Sequence, residues 1–132
     1  MATVTSKLTL TSADLLSQNL NISVSKSISV NNTTGLARKT ITSTAKGTAS
    51  GQVTLHTAAN FTAPAYLYVK NMDTTSTDYV LVYDATTSGN PILLYLLGGQ
   101  FAFLPINNSI DLKAYAATTS TPIEFMVIGT EA

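Results

Sequence analysis

The stretch LNISVSKSISV, residues 20–30, decides the fold class, because apolar and polar residues alternate along it with a period of two. A β-strand places successive side chains on opposite faces, so this alternation predicts a strand with one apolar face and one serine face. Lys26 interrupts the apolar face and predicts a bend between two shorter strands. The segment 31–35, which follows, is rich in turn-forming residues and predicts a turn.

Segments of the same kind recur along the chain and are separated by Gly, Pro and Asn, which are typical of turns. The segment 79–83 has apolar residues on both faces and predicts a central strand covered on both sides. Residues 13–18 are the one helical candidate. The pattern therefore predicts an all-β fold: a single antiparallel β-sandwich, jelly-roll-like, with eight or nine short strands and at most one short helix.

Length and composition predict one domain over residues 1–132 that associates with other protein. Charged residues make up 11% of the chain and the net charge is zero, whereas about 25% is typical of soluble domains. Ser and Thr total 35 residues, and near-zero net charge favours association. Residues 1–60 are the Ser/Thr-rich half and predict either edge strands or an arm that contacts a neighbour. Residues 61–128 hold every Tyr and Phe, so we expect them to supply most of the core.

Several classes of function are disfavoured by the same composition. The basic residues are scattered and form no patch that would bind nucleic acid. The chain has no cysteine, which excludes disulfides and thiolate metal sites. No signal peptide opens the sequence, and the longest apolar run, 92–97, is far shorter than the roughly 20 residues of a membrane helix. We therefore expect synthesis and folding in a cytoplasm, without membrane, cofactor or metal.

The candidates for chemistry have plainer structural interpretations. His56 is the single histidine, and we expect it on the outer face of a strand, since no nucleophile and carboxylate are identifiable as its partners. Asp73, Asp78 and Asp84 surround the strand predicted at 79–83. They could form a calcium or acid/base site, but turn formation is the favoured interpretation. Residues 98–99, both glycine, lack the helix and lysine of a phosphate loop and predict a hairpin turn or bulge. No catalytic residue is predicted, so the chain is not expected to be an enzyme.

Four of the six tyrosines are the predicted interface or ligand surface. Tyr66 and Tyr68 should share one face of their strand, and Tyr79 and Tyr83 one face of theirs. Exposed tyrosines stack on sugars or anchor protein interfaces, but they also line the cores of β-sandwiches. Both interpretations remain open at this point.

The second half of the chain has a recognisable order of motifs. It runs from YVKN at 68–71 to LGGQFAFLPI at 97–106, IDLKAYA at 110–116 and IEFMVI at 123–128. This order resembles the small β-sandwich virion structural proteins of tailed bacteriophages, and residues 20–38 are similar to the N-terminal part of the same group. Gln100 stands where the group usually has an acidic residue, which removes a charge and should leave the turn intact. The resemblance implies a virion component without catalytic residues.

Resemblance and composition together predict a capsid decoration or cement protein, assembled in the host cytoplasm and residing in the virion. Its expected partners are the major capsid protein or other virion proteins. A homo-oligomer is expected, with a trimer favoured. The alternative is a tail, neck or fibre component with a carbohydrate-contacting surface. A separate carbohydrate-binding module ranks lower because the chain has no Trp.

Overall fold

The computed structural model describes residues 1–14 and 18–131, with residue 63 described in its backbone only. This part of the chain contains eleven β-strands and no helix, so the all-β prediction is confirmed, but the strands outnumber the predicted eight or nine. No membrane-crossing helix occurs among the described residues. The helix predicted at 13–18 falls largely on residues outside the description. The chain divides into two compact units, one over Met1–Asn31 and one from Asn32 onward.

The first unit is a long two-stranded antiparallel hairpin. Strands β1 (Ala2–Ser12) and β2 (Leu20–Val30) pair without interruption from Ala2 opposite Val30 to Ser12 opposite Leu20. The predicted bend at Lys26 is wrong, because Lys26 pairs with Ser6 inside the continuous ladder. A single charged residue does not interrupt a strand when its side chain can extend to solvent.

The second unit contains two antiparallel sheets. Its strands are β3 (Asn32–Thr33), β4 (Ala37–Ile41), β5 (Val53–His56), β6 (Phe61–Asn71), β7 (Tyr79–Asp84), β8 (Ile92–Leu97), β9 (Phe101–Ile106), β10 (Leu112–Ala116) and β11 (Thr121–Glu131). The order in the four-stranded sheet is β5-β10-β7-β8. In the five-stranded sheet β11 pairs with β3 and β4 along one edge and with β6 along the other, and β6 then pairs with β9.

Alternation along the central strands builds one hydrophobic cluster that takes side chains from both sheets. In β11, Ile123, Phe125 and Val127 are buried in this cluster, and in β7 so are Val80 and Val82. Residues before position 61 contribute three members, which are Ile41, Val53 and Leu55. The second half of the sequence therefore supplies most of the core, as its composition predicts.

Two local predictions fail because strand pairing is not local. The sequence predicts a turn over residues 31–35, but Asn32 and Thr33 form a short strand against Gly129 and Ile128. Gly98 and Gly99 do not close a hairpin, since β8 belongs to the four-stranded sheet and β9 to the five-stranded sheet. They form a turn between the two sheets, in which the Gln100 amide donates to the Leu97 carbonyl.

Asn71 fixes this crossing between the sheets. It is fully buried at the end of β6, and its Nδ2 donates to the carbonyls of Asp78 and Leu96, each at 3.0 Å. Its backbone N–H donates to the Gln100 carbonyl at 2.9 Å, and its carbonyl accepts from the Gly99 amide at 3.0 Å. The side chain and backbone of Asn71 thus tie the five-stranded sheet to the residue before β7, to β8 and to the turn that follows β8.

Candidate interaction surfaces

The four predicted tyrosines lie on two separate surfaces of the second unit. On β6, Ala65, Leu67 and Val69 enter the core, so Tyr66 and Tyr68 lie on the other face of the five-stranded sheet. On β7 the valines enter the core, so Tyr79 and Tyr83 lie on the other face of the four-stranded sheet. Each pair shares a face as predicted, but the structure does not bring the two pairs together.

An aromatic strip runs along the edge of the five-stranded sheet. Tyr66 stacks on Phe103 of β9, with ring centroids 5.7 Å apart and planes tilted by only 6°. Phe101 lies on the same face, two residues before Phe103, and is 68% exposed. Because β9 is the last strand of its sheet, this β9 strip (Tyr66, Phe101 and Phe103) lies beside a strand edge that pairs with no other strand of the described residues.

Tyr68, on the same face, is hydrogen-bonded to the ion pair between Glu124 and Arg38. Its hydroxyl donates to Oε1 of Glu124 at 3.0 Å, and Nε of Arg38 donates to Oε2 of the same carboxylate at 2.7 Å. The hydrogen bond from Arg38, followed by that from Tyr68, lowers the pKa of Glu124 below its ordinary value. Burial, and then the Glu124 carboxylate, raises the pKa of Tyr68. Tyr68 therefore serves to hold a carboxylate and is not a free contact.

The outer face of the four-stranded sheet carries a tyrosine cluster, made of Tyr79, Tyr83, Tyr95 and Tyr115. Tyr79 and Tyr95 stack at 4.8 Å, and Tyr83 meets Tyr115 edge to face at 5.8 Å. Tyr83 is fully buried, and its hydroxyl accepts from the Gly47 amide and donates to Gln52. Tyr95, which is 54% exposed, is the most accessible member. Burial, followed by the neighbouring Tyr79 and Tyr83, raises the pKa of Tyr115.

The hairpin presents a third surface, which has no aromatic residue. The register places Leu8 opposite Val24 and Leu10 opposite Ile22, all on one face. These four side chains are between 41% and 58% exposed. We call this set the hairpin face.

His56 is buried, which corrects the expected position on an outer face. The register between β5 and β10 shifts at Leu112–Lys113, and this bulge ends the alternation that would have pointed His56 outward. Its ring lies 5.9 Å from that of Phe61, and its Nε2 is 3.4 Å from the Asn108 carbonyl oxygen. Its Nδ1 is the one buried side-chain polar atom in the described part of the chain without a hydrogen-bond partner. Burial lowers the pKa of this imidazole.

A shallow cavity of about 250 Å³ lies beside His56, lined also by Lys39, Thr57 and Asn60. The carboxylate whose charge acts on His56 is that of Asp111, and it accepts a hydrogen bond from the Ala58 amide at 2.7 Å. His56 therefore has neither an orienting carboxylate nor a nucleophile bonded to it among the described residues.

The three aspartates accept hydrogen bonds from backbone or side-chain groups of the fold. Asp73 accepts the Thr75 amide at 2.8 Å, and Asp84 accepts the amides of Thr86 and Thr87 at 2.7 and 3.1 Å. Both are the turn geometries that the sequence favours. Asp78 instead accepts the Thr118 hydroxyl at 3.2 Å. Within the described ranges no group of three metal-ligating side chains occurs.

Sequence reasoning missed Tyr95, Tyr115, Phe101 and Phe103 as surface residues. Phe101 and Phe103 alternate with Ala102 and Leu104, so a period-two pattern could have separated their face from the core face. Tyr95 and Tyr115 join Tyr79 and Tyr83 only through the pairing of three strands, which leaves no local signal.

Neither a protein-family model, nor a curated protein, nor a solved structure matches this chain.

Proposed function

We propose that this chain is a non-enzymatic structural protein of a tailed-phage virion, a decoration or cement protein that stabilises the capsid shell. The proposal rests on the positions of the large apolar side chains that remain exposed. They concentrate on the hairpin face and on the two neighbouring edge strands, at Ile92, Leu93 and Tyr95 of β8 and at Phe101 and Phe103 of β9. Exposed apolar patches and apolar strand edges are typical of surfaces covered by another protein.

The fold that suits this role is a jelly-roll-like β-sandwich formed by the two sheets of the second unit. Support comes from the hydrophobic cluster, to which both sheets contribute one face, and from antiparallel pairing throughout. In such a fold β8 and β9 are edge strands of the two layers, so their exposed side chains lie where a neighbouring subunit would pack.

A non-enzymatic role is supported by how the candidate catalytic groups are used. His56 is buried against Phe61, and Asp73 and Asp84 accept backbone amides in their own turns. The carboxylates of Asp73 and Asp84 are thus occupied by hydrogen bonds of the fold, and among the described residues no nucleophile or orienting carboxylate is bonded to His56.

The proposed partners are the major capsid protein or other virion proteins, together with further copies of this chain, a trimer being favoured. Each contact would be modest, and repetition over the shell would multiply it through avidity. Zero net charge supports close packing of many copies, because it minimises repulsion between them. Assembly would take place in the host cytoplasm.

The test is the copy number of this chain in purified particles, followed by its binding to particles that lack it. Hundreds of copies support decoration, whereas a dozen or fewer reject it. The double substitution Tyr95→Ser with Phe101→Ser should reduce binding at least about tenfold, because it removes two aromatic anchors. Thr119→Ser, in an exposed turn, is the control and should bind as the wild type does.

A tail, neck or fibre component that contacts carbohydrate is the second candidate. The stacked and accessible Tyr79–Tyr95 pair favours it, because sugars pack on exposed aromatic rings. A glycan array probed with the wild type and with Tyr95→Ala tests this candidate. Binding that Tyr95→Ala abolishes, on a chain of low copy number in particles, would replace the capsid proposal.

A further inference from the structure

The two faces of the hairpin differ in chemistry along their full length. One face carries only Ser, Thr, Asn and Lys side chains, from Thr3, Thr5, Lys7, Thr9 and Thr11 on β1 and from Asn21, Ser23, Ser25, Ser27 and Ser29 on β2. The other face includes the hairpin face defined above. This division exposes aliphatic side chains to water on one side only.

A two-stranded ribbon with such a face needs a cover. Within residues 1–14 and 18–131 no third strand pairs with β1 or β2. Isolated two-stranded hairpins are marginal in water and become stable when a hydrophobic face packs against another element. The exposed fractions of Leu8 and Val24, 54% and 58%, measure how much of this face remains open.

The charges at the two ends of the hairpin face indicate which element fits. Lys26 lies on the same side, two register pairs beyond Leu8–Val24, and Asp14 lies at the opposite end, beyond Ser12. Asp14 accepts a hydrogen bond from the Ser12 hydroxyl at 2.9 Å, which holds the carboxylate near the last register pair. The face thus has an apolar centre with a positive end and a negative end, which makes it complementary to itself when reversed.

We infer that the hairpin face packs against the hairpin face of a second copy of this chain, with the two hairpins antiparallel about a two-fold axis. The axis passes between the Leu8–Val24 and Leu10–Ile22 pairs, so that each pair faces the other pair of the second copy. Lys26 of one copy then lies opposite Ser12 and Leu20 of the other, within reach of the Asp14 carboxylate. A parallel arrangement would instead place Lys26 against Lys26.

The size of the face predicts a weak association. In this arrangement residues 6–12 and 20–26 of the two copies overlap, and these segments measure roughly 24 Å in two strands roughly 10 Å wide, so both copies together bury about 480 Å². Stable interfaces bury about 1,200 Å² or more. We therefore expect a concentration-dependent equilibrium, which many copies held close together on a shell would drive toward pairing.

This inference rests on the proposed function only for its place in a particle, where it would link neighbouring copies. The pairing is a property of the purified chain and can be measured without capsids. A chain that pairs in solution but is rare in particles would reject the capsid proposal alone. A chain that is abundant on particles but always monomeric in solution would reject the pairing alone.

The experiment is sedimentation equilibrium of the full chain over a wide concentration range at low salt. Leu8→Thr with Val24→Thr should raise the dissociation constant about tenfold or more, because it makes the centre of the face polar while keeping good strand formers. The matched control is Thr9→Ser with Ser23→Thr, the neighbouring register pair on the opposite face, which should leave the constant unchanged.

The charges give a second and independent measurement. Lys26→Glu and Asp14→Lys should each weaken pairing several-fold, and the two together should restore it to within about twofold, because the ion pair is rebuilt with reversed signs. Restoration by the double variant supports the antiparallel arrangement, and its absence overturns it. A wild type that stays monomeric at millimolar concentration, or a Leu8/Val24 variant that pairs as well as the wild type, overturns the pairing itself.

Discussion

The hairpin and β7 of the second unit carry equally apolar side chains, but these are exposed in the hairpin and buried in β7. Val80 and Val82 of β7 are at most 1% exposed, whereas Val24 of the hairpin is 58% exposed. Alternation assigns a residue to a face, but only the neighbouring elements decide whether that face is covered. The second unit buries these valines in a cluster to which both of its sheets contribute, whereas the hairpin leaves part of its apolar face exposed.

The comparison is tested most strongly by one substitution made in both regions. Leu67→Ala should cost about 2–5 kcal/mol of unfolding free energy, because Leu67 is 1% exposed and its loss leaves a cavity. Leu8→Ala should cost less than about 1 kcal/mol at concentrations where the chain is monomeric, because Leu8 is already half in water. Denaturant unfolding of the two variants measures both values. Equal losses would mean that the hairpin face is covered within the monomer.

The next largest effect is expected at the buried amide that joins the two sheets. Asn71→Ala should cost about 2–3 kcal/mol, because the carbonyls of Asp78 and Leu96 lose their bonds to Nδ2. Asn107→Ala is the control, since Asn107 is exposed and accepts the amide of Ser109, two residues away. Thermal unfolding of both variants is the measurement. A loss at Asn71 no greater than that at Asn107 would refute the role assigned to this crossing.

Much of the second unit could be predicted from local patterns. The apolar residues at 79–83 predict a central strand, and β7 does lie between β10 and β8. Its second face is covered only in part, since Tyr79, a member of the tyrosine cluster, and Leu81 stay partly exposed. Local alternation predicts which residues enter the core because the period of a strand is fixed by its backbone.

The features that local patterns do not predict depend on pairing between strands that are distant in the sequence. The turn at Gly98–Gly99 has the composition of a hairpin turn, yet it carries the chain from one sheet to the other because Asn71 binds Gln100 and Leu96 at once. His56 follows an alternating segment and would face outward, but the bulge opposite β10 turns it inward. Neither the partner strand nor the bulge has a signal in the segment that it affects.

Lowering the pH should destabilise the second unit more than the hairpin, and His56 is the first group expected to contribute. Burial lowers the pKa of His56 in the folded chain below its ordinary value of 6.5, so the unfolded chain binds the proton more readily. The free energy of unfolding should therefore fall as the pH drops through 6.5 and level off below the folded pKa. The hairpin contains no histidine, so this fall belongs to the second unit. His56→Gln should flatten the profile between pH 7 and 5, and an unchanged slope would exclude His56 as its source.

The smallest effect is expected at lower pH, from Glu124 and Asp84. Hydrogen bonds from Arg38 and Tyr68 lower the pKa of Glu124, and the Thr87 hydroxyl lowers that of Asp84, so each ionised form is favoured by folding. Their contribution to stability is present above the ordinary carboxyl pKa and is lost as the pH falls through the lowered values, a window below that of His56. Glu124→Gln and Asp84→Asn should each reduce the loss between pH 5 and 2, measured by denaturant unfolding at fixed pH values. The hairpin has a single carboxylate side chain, Asp14 at its tip, so Asp14→Asn is the matched control. It should leave the loss of stability of the second unit between pH 5 and 2 unchanged. If Asp14→Asn removed the loss of stability between pH 5 and 2, and Glu124→Gln and Asp84→Asn left it intact, the acid sensitivity would belong to the hairpin. That outcome would reverse the comparison.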